Sequence, residues 1–310
     1  MKTLITGGFG YIGSSIANNL NQKNYKISIC SRYKKKPNEW TKKINVQNIE
    51  WQNNIKLEKL CHNHDVVIHT AGMNSIDCFN NPKDAVKCNQ LNTKKLTLAA
   101  IKSEVKLLIY ISTAHVYSSP LKGIINEKTK TINKHPYASS HQLGELEILN
   151  LTKDTKTKPI IIRLSNAYGI PIEKNINSWN LIINSFCLEA TKNLSIELDS
   201  DGLEKRDFIN LNDVNSAIEL ILKSQSDLPK GIYNLGSGIS YTIIQIAKII
   251  QNLMLDKFGI KIDIRINRKN VKKVELFKYD TKKIESIGFS AKNDIKKDIL
   301  EILEYCIKHK

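Results

Sequence analysis

The sequence predicts an α/β fold: a doubly wound parallel sheet with a smaller C-terminal α+β lobe. Three observations carry this. Short, continuously apolar runs alternate with helix-length patterned segments through the first half of the chain, and a glycine cluster sits at the first strand–helix junction. The alternation then becomes irregular beyond about residue 170 of the 310. Strands buried on both faces read as unbroken apolar runs, and parallel strands need crossovers, usually helices, to join them.

The elements follow in order. Thr3–Thr6 reads as a strand, leading into a helix from Tyr11 to Gln22. Strands at Lys26–Cys30 and Asp65–Thr70 come next, then a single helix from Pro82 to Lys102. Strand Lys106–Ser112, a helix from Pro136 to Leu151 and strand Pro159–Leu164 complete the series.

Composition narrows the class. Hydrophobic residues at 41% and charged residues at 25% are ordinary for a globular chain and exclude a disordered or fibrous one. The 47 Lys+Arg against 30 Asp+Glu leave a formal charge of +17, which raises nucleic acid as a partner. Only five of these cations are arginine (Arg32, Arg163, Arg206, Arg265, Arg268). The lysines are scattered in small groups, among them Lys34 to Lys36, Lys94–Lys95 and Lys272–Lys273, and aromatics are only 7%. A nucleic-acid groove mixes forked arginines with stacking rings, so the charge reads as solvated surface and nucleic acid as an unlikely partner.

Six cysteines without a CxxC pair argue for a reduced, metal-free chain, and His62 and His64 lack nearby partner ligands. No apolar run has membrane length, and Lys2–Thr6 runs straight into glycines with no cleavable leader. The expected location is cytoplasmic.

The most informative window is Thr6-Gly7-Gly8-Phe9-Gly10-Tyr11-Ile12-Gly13, which holds four of the chain's fourteen glycines. Glycine permits a tight turn, lets backbone N–H groups approach a pyrophosphate at a helix N-terminus, and allows close helix–sheet packing. The window therefore predicts a Rossmann-type dinucleotide site at Gly7, Gly10, Tyr11, Ile12 and Gly13. The second strand ends in Ser31 and Arg32, with lysines following and no acid to hold a ribose 2′-hydroxyl. That favours NADP over NAD. Residues 1–170 are expected to form the dinucleotide unit, rejoined by segments around 206–240, and residues 171–310 the substrate-binding lobe.

Further motifs follow in a fixed order. Val66-Val67-Ile68-His69-Thr70-Ala71-Gly72 precedes Asn89 and Thr93, and Tyr110 to Tyr117 precedes Pro136-Tyr137-Ala138-Ser139-Ser140 and Gly144-Glu145. Arg163 to Gly169, Arg206-Asp207-Phe208-Ile209 and Gly231 to Gly238 complete the run. This order resembles the extended short-chain dehydrogenase/reductases, the NAD-dependent epimerase/dehydratase group that modifies nucleotide sugars. The resemblance implies cofactor contacts at Ala71 and Asn89, substrate contacts at Asn166 and a diphosphate grip at Arg206. It also implies a homodimer built on the Pro82–Lys102 and Pro136–Leu151 helices.

The same resemblance implies chemistry. Such enzymes use a Ser/Thr, a Tyr acid/base and a Lys four residues after the Tyr. Thr113 and Tyr137 match, but residue 141 is His, one helical turn from Tyr137 on the same face. His141 is expected to replace the Lys with partial charge at neutral pH, or else to mark a chain that binds its ligand without turnover. The family's 4,6-dehydratases follow their Thr with Asp-Glu; here Ala114 and His115 stand there, which disfavours dehydration and makes His115 a candidate acid/base. The function expected is an NADP-dependent epimerase or reductase acting on a nucleotide-diphosphate sugar. The alternatives are a catalytically impaired NADP-binding sensor or an RNA-associated member of the group.

Overall fold

The computed structural model describes residues 1–32, 38–173, 176–266 and 275–309. Lys34 to Lys36, Arg268 and Lys272–Lys273 lie outside the described residues. Two compact units are present: Met1–Ser118 with Lys130–Leu164 and Ala217–Tyr233, and Ser119–Thr129 with Ser165–Ser216 and Asn234–Lys310.

The first unit is built on a seven-stranded sheet. Its strands are β1 (Lys2–Thr6), β2 (Lys26–Ser31), β3 (Asn45–Asn48), β4 (Val66–His69), β5 (Leu107–Thr113), β6 (Lys158–Leu164) and β7 (Gly231–Leu235), in the order β7-β6-β5-β4-β1-β2-β3. Strands β1 to β6 pair in parallel. The helices are α1 (Tyr11–Gln22), α2 (Asn54–His62), α3 (Ser75–Asn80), α4 (Pro82–Val86), α5 (Asn92–Lys102) and α6 (Pro136–Leu151). Alternate strand residues Leu4, Val67, Leu108 and Ile161 share one core cluster with Leu57 and Leu60 of α2, Leu96 and Ala100 of α5 and Ile148 of α6. Chain order reverses between β1 and β4, and in open α/β sheets ligands bind in the crevice at the strand C-termini beside such a reversal. Thr6 and His69 are the paired residues at that point.

Several elements escape the sequence reading, β3 and α2 among them. Strand β3 is only half-buried and polar (Asn-Val-Gln-Asn), so it carries no apolar run. Helix α2 buries just Leu57, Leu60 and Cys61. The predicted single helix Pro82–Lys102 is also corrected, because α4 and α5 are joined by a widened π turn, Lys87–Leu91. There the Asn92 N–H reaches back to the Lys87 carbonyl. The physical reason lies at Asn89, fully buried, whose side chain is held by neighbouring backbone and by α6, and against whose carbonyl Gly144 packs without room for a Cβ. Such single-turn bulges let a helix re-aim one side chain while keeping its course. His64 likewise has partners: Nδ1 lies 2.9 Å from the Leu60 carbonyl and Nε2 2.9 Å from Ser28 Oγ. It caps the end of α2.

The second unit packs helices Ile182–Asn193, Ile243–Phe258 and Ile295–Lys308 around Phe186, Cys187, Ile246, Ile250, Ile299 and Leu303. Three short sheets edge it: Ser240–Thr242, Lys205–Asn210 and Asn166–Tyr168; Asp263–Ile266 with Ser195–Leu198; and Phe277–Tyr279 with Gly123–Ile125. Among the described residues, no helix is long and apolar enough to cross a membrane.

Candidate functional site

The glycine loop behaves as a cradle. Gly7 takes φ +71°, and a Cβ there would stand 2.7 Å from the Ala71 nitrogen, so the loop is pressed onto the end of β4. A Cβ at Gly13 would meet the Gly7 carbonyl at 2.2 Å and Thr70 Oγ1 at 2.5 Å. The Gly10 N–H donates to the Gly7 carbonyl at 2.7 Å, which closes the turn onto α1. No side chain caps α1 and no acid stands in its first turn. An uncapped, acid-free N-terminus with its backbone bared is complementary to a phosphate, so these residues fit a dinucleotide pyrophosphate.

Ser31 and Arg32 close β2 on the same edge of the sheet. Arg32 is exposed, and its charge draws the Cys88 thiol down against the upward push of burial. Asn89 has its polar atoms engaged: the Met73 N–H donates to Oδ1 at 2.9 Å, and Nδ2 donates to Ser140 Oγ at 3.0 Å and toward Cys78 Sγ at 3.6 Å. It therefore acts as a clamp that fixes the backbone following Ala71 and Gly72.

The end of β5 and the start of α6 bring Thr113, Tyr137 and His141 together. Burial pushes the Tyr137 phenol up, and a hydrogen bond with the Thr113 side chain pulls it back down. His141 is buried on α6, with Nδ1 2.8 Å from the Tyr110 hydroxyl. Burial drives its pKa down to about 4. The partial charge expected at neutral pH is thus corrected: among the described residues no carboxylate pairs with the ring, and desolvation leaves the imidazole uncharged.

His115 follows Thr113 in a short 3₁₀ turn, its N–H donating to Thr113 Oγ1 at 3.2 Å and its carbonyl accepting from Asn133 Nδ2 at 2.8 Å. Behind the site, Glu145 and Arg163 form a buried forked ion pair with Nη2 2.6 Å from Oε2, and Ser112 donates to the same carboxylate. This pair staples α6 to β5 and β6.

The two expected substrate ligands belong to the second unit. The Arg206 guanidinium is held by Glu204 at 2.9 Å, and Asn166 Nδ2 donates to the Asp207 carbonyl at 2.8 Å. Burial raises the Asp207 carboxyl to about 6, although the Ser237 N–H donates to it. Among the described residues, no cluster of His, Cys, Asp and Glu is arranged to hold a metal.

Sequence reasoning missed Tyr110 as a partner of His141. The signal was present only as the motif position itself, since nothing in the spacing places a β5 phenol against α6.

Known proteins resemble this chain in sequence and in fold. The chain is 26% identical to human dTDP-D-glucose 4,6-dehydratase over 98% of its own length and 89% of that protein's. It is 26% identical to a putative UDP-glucose 4-epimerase of Methanocaldococcus jannaschii, covering 97% of each. In structure it superposes on the UDP-glucose 4-epimerase of Thermus thermophilus in complex with NAD, with a TM-score of 0.83, 21% identity and 99% of each chain covered. Residues 3–236 match the NAD-dependent epimerase/dehydratase family as a whole. With its motifs in order along that span, the chain belongs to the NAD-dependent epimerase/dehydratase family.

Proposed function

We propose that this chain is an epimerase or reductase of a nucleotide-diphosphate sugar, with NADP preferred over NAD. The observation that carries the reading is the Tyr137 phenol set beside the Thr113 side chain, where β5 ends and α6 begins. Bound there, a nicotinamide dinucleotide supplies hydride transfer at a sugar carbon. Tyr137 then takes or returns the hydroxyl proton of that carbon at its Oη, and Thr113 Oγ1 steadies the same oxygen. His141 is proposed as a donor to the cofactor ribose. Arg32 and Ser31 supply charge and donors for a 2′-phosphate, and Arg206 exchanges Glu204 for the sugar diphosphate through its fork.

Ala114 has no proton-transfer group and His115 no carboxylate, which supports epimerisation or reduction over dehydration, the reaction in the human relative's name. His115 is proposed as an acid/base at the carbon next to the carbonyl. A second reading, dinucleotide binding without turnover, is favoured by the uncharged His141. The reading includes a homodimer through α5 and α6, whose outer faces expose Leu98, Leu143 and Leu146.

The test combines mass spectrometry of ligand retained on purification with incubation of the protein with UDP- and dTDP-hexoses. A product of unchanged mass and altered configuration indicates an epimerase; oxidation of added NADPH matched by sugar reduction indicates a reductase. Loss of water from the sugar overturns the reading in favour of dehydration. No turnover of any sugar beside retained NADP leaves the binding-only reading.

A further inference from the structure

A chain of buried hydrogen bonds runs behind the candidate site, and its protons can be assigned one by one. Thr93 Oγ1 lies 2.8 Å from the Asn89 carbonyl. A carbonyl only accepts, so the single Thr93 hydroxyl hydrogen is committed there. His69 Nε2 lies 2.9 Å from Thr93 Oγ1 and must therefore be the donor. His69 Nδ1, 2.7 Å from Thr6 Oγ1, then accepts the Thr6 hydrogen. This assignment needs an imidazole with one N–H, and burial holds His69 neutral by lowering its pKa to about 3.

The same accounting reaches His141. Thr93 also neighbours the Tyr110 phenol; with its hydrogen spent on Asn89 it can only accept there, and its oxygen already accepts from His69 Nε2. The Tyr110 hydroxyl and His141 Nδ1, 2.8 Å apart, share one hydrogen between them. An imidazole nitrogen is the stronger base and a phenol the stronger acid of the two, so the hydrogen sits on Tyr110 and points at Nδ1. Neutral imidazole carries its one hydrogen on the other nitrogen. His141 Nε2 lies on the side of Gly72, 3.7 Å from where a Cβ of that residue would be.

We infer that Tyr110 is a positioning residue: its hydroxyl donates to His141 Nδ1 and so fixes the tautomer that presents Nε2–H beside Gly72 as a permanent donor. A lysine ammonium donates whatever its surroundings, whereas a neutral histidine donates from Nε2 only while Nδ1 is the bare, accepting nitrogen. Tyr110 supplies that condition: the competing acceptor, Thr93 Oγ1, already takes the His69 Nε2 hydrogen, which leaves the imidazole Nδ1 as the better acceptor for the phenol. The receiving group, a ribose hydroxyl of the dinucleotide, rests on the function proposed above; the tautomer does not.

Long-range ¹H–¹⁵N correlation spectra of full-length protein carrying ¹⁵N-histidine, with His141 assigned from a His141→Gln variant, test the tautomer directly. The expected result is an acceptor-type Nδ1 and a protonated Nε2 for His141, and the same pattern for His69. In Tyr110→Phe the His141 Nδ1 resonance is expected to move, while that of His69 stays in place as the internal sign of intact folding. Turnover of that variant is expected to fall about tenfold, with the sugar KM unchanged, since one buried acceptor loses its donor. A bare Nε2 on His141 in the wild type overturns the inference, as does a Tyr110→Phe spectrum identical to it. An intact tautomer pattern in a protein that turns over no nucleotide sugar supports the inference and sinks the catalytic reading instead.

Discussion

The Tyr137 and His141 rings meet edge to face on α6, their centroids 4.7 Å apart and their planes at 72°. A cation one turn beyond a tyrosine lowers the phenol pKa through space; a neutral imidazole does not. Burial has already pushed the Tyr137 phenol up and His141 down, so the wild-type base is expected to work best on the alkaline side. If the phenolate is the base, kcat/KM rises with pH through the Tyr137 pKa. In His141→Lys this limb is expected to move by about 1–2 pH units toward acid, the usual effect of one close opposite charge. A limb at the same pH in both proteins counts against Tyr137 as the titrating base.

Acid stability follows from the same burial. A histidine whose pKa falls from 6.5 to about 4 on folding, as at His141, binds more protons unfolded than folded between those values. Stability therefore rises with pH across that window and is complete above it, worth on the order of 3 kcal/mol for such a shift. His69, lowered to about 3, acts in the same direction. Asp207 acts oppositely, because a carboxyl raised from 3.8 to about 6 favours the folded state when protonated. The difference between wild type and His141→Gln isolates the His141 contribution. Urea midpoints of the wild type are expected to drop more than those of the variant as pH falls from 7 to about 4. Equal drops would show that His141 does not stay neutral.

The glycine cradle makes a sharper structural prediction. A methyl at Gly13 would lie 2.2 Å from the Gly7 carbonyl, which is backbone and cannot swing away. Gly13→Ala is expected to weaken dinucleotide binding by more than about tenfold and to destabilise the first unit by about 1–3 kcal/mol, the range for overpacking a tight site. Gly259→Ala is the control. Gly259 also sits at positive φ, but nothing lies within 4 Å of its missing Cβ. It is expected to lose only about 1 kcal/mol of stability to backbone strain and to keep its dinucleotide affinity, measured by fluorescence titration. Equal loss in both proteins would argue against the cradle.

How far the sequence reached depends on whether a feature is local. Helices α1 and α6 fall at about their expected bounds, because a glycine before the one and a leading proline in the other mark where they start. Strand β3 went unseen because an edge strand with polar residues has no apolar period. The π turn at Lys87–Leu91 was invisible because its cause, the bonds of Asn89 to Met73 and Ser140, joins segments far apart in sequence. Likewise, position 141 was legible as an exception, but its neutrality was not. That required knowing that the ring is buried against a β5 tyrosine.

The proposed preference for NADP rests on Arg32, which follows β2 directly and is exposed, within electrostatic reach of Cys88. Among the described residues, no acid ion-pairs with the Arg32 guanidinium, unlike that of Arg163, Arg206 or Arg265. A charge-assisted guanidinium–phosphate contact contributes about 1.5–3 kcal/mol, or roughly 10–100-fold in affinity. NADPH carries the 2′-phosphate and NADH does not, so the effect must be selective. Arg32→Ala is expected to raise the Kd for NADPH by about 10–100-fold and to change that for NADH by less than about threefold. In Arg32→Glu, a carboxylate set at the end of β2 repels the phosphate and can accept from a ribose hydroxyl, so the preference is expected to invert toward NADH. Calorimetric titration of both dinucleotides against both variants decides the matter: parallel losses for NADPH and NADH would mean that Arg32 supports the loop and does not read the phosphate.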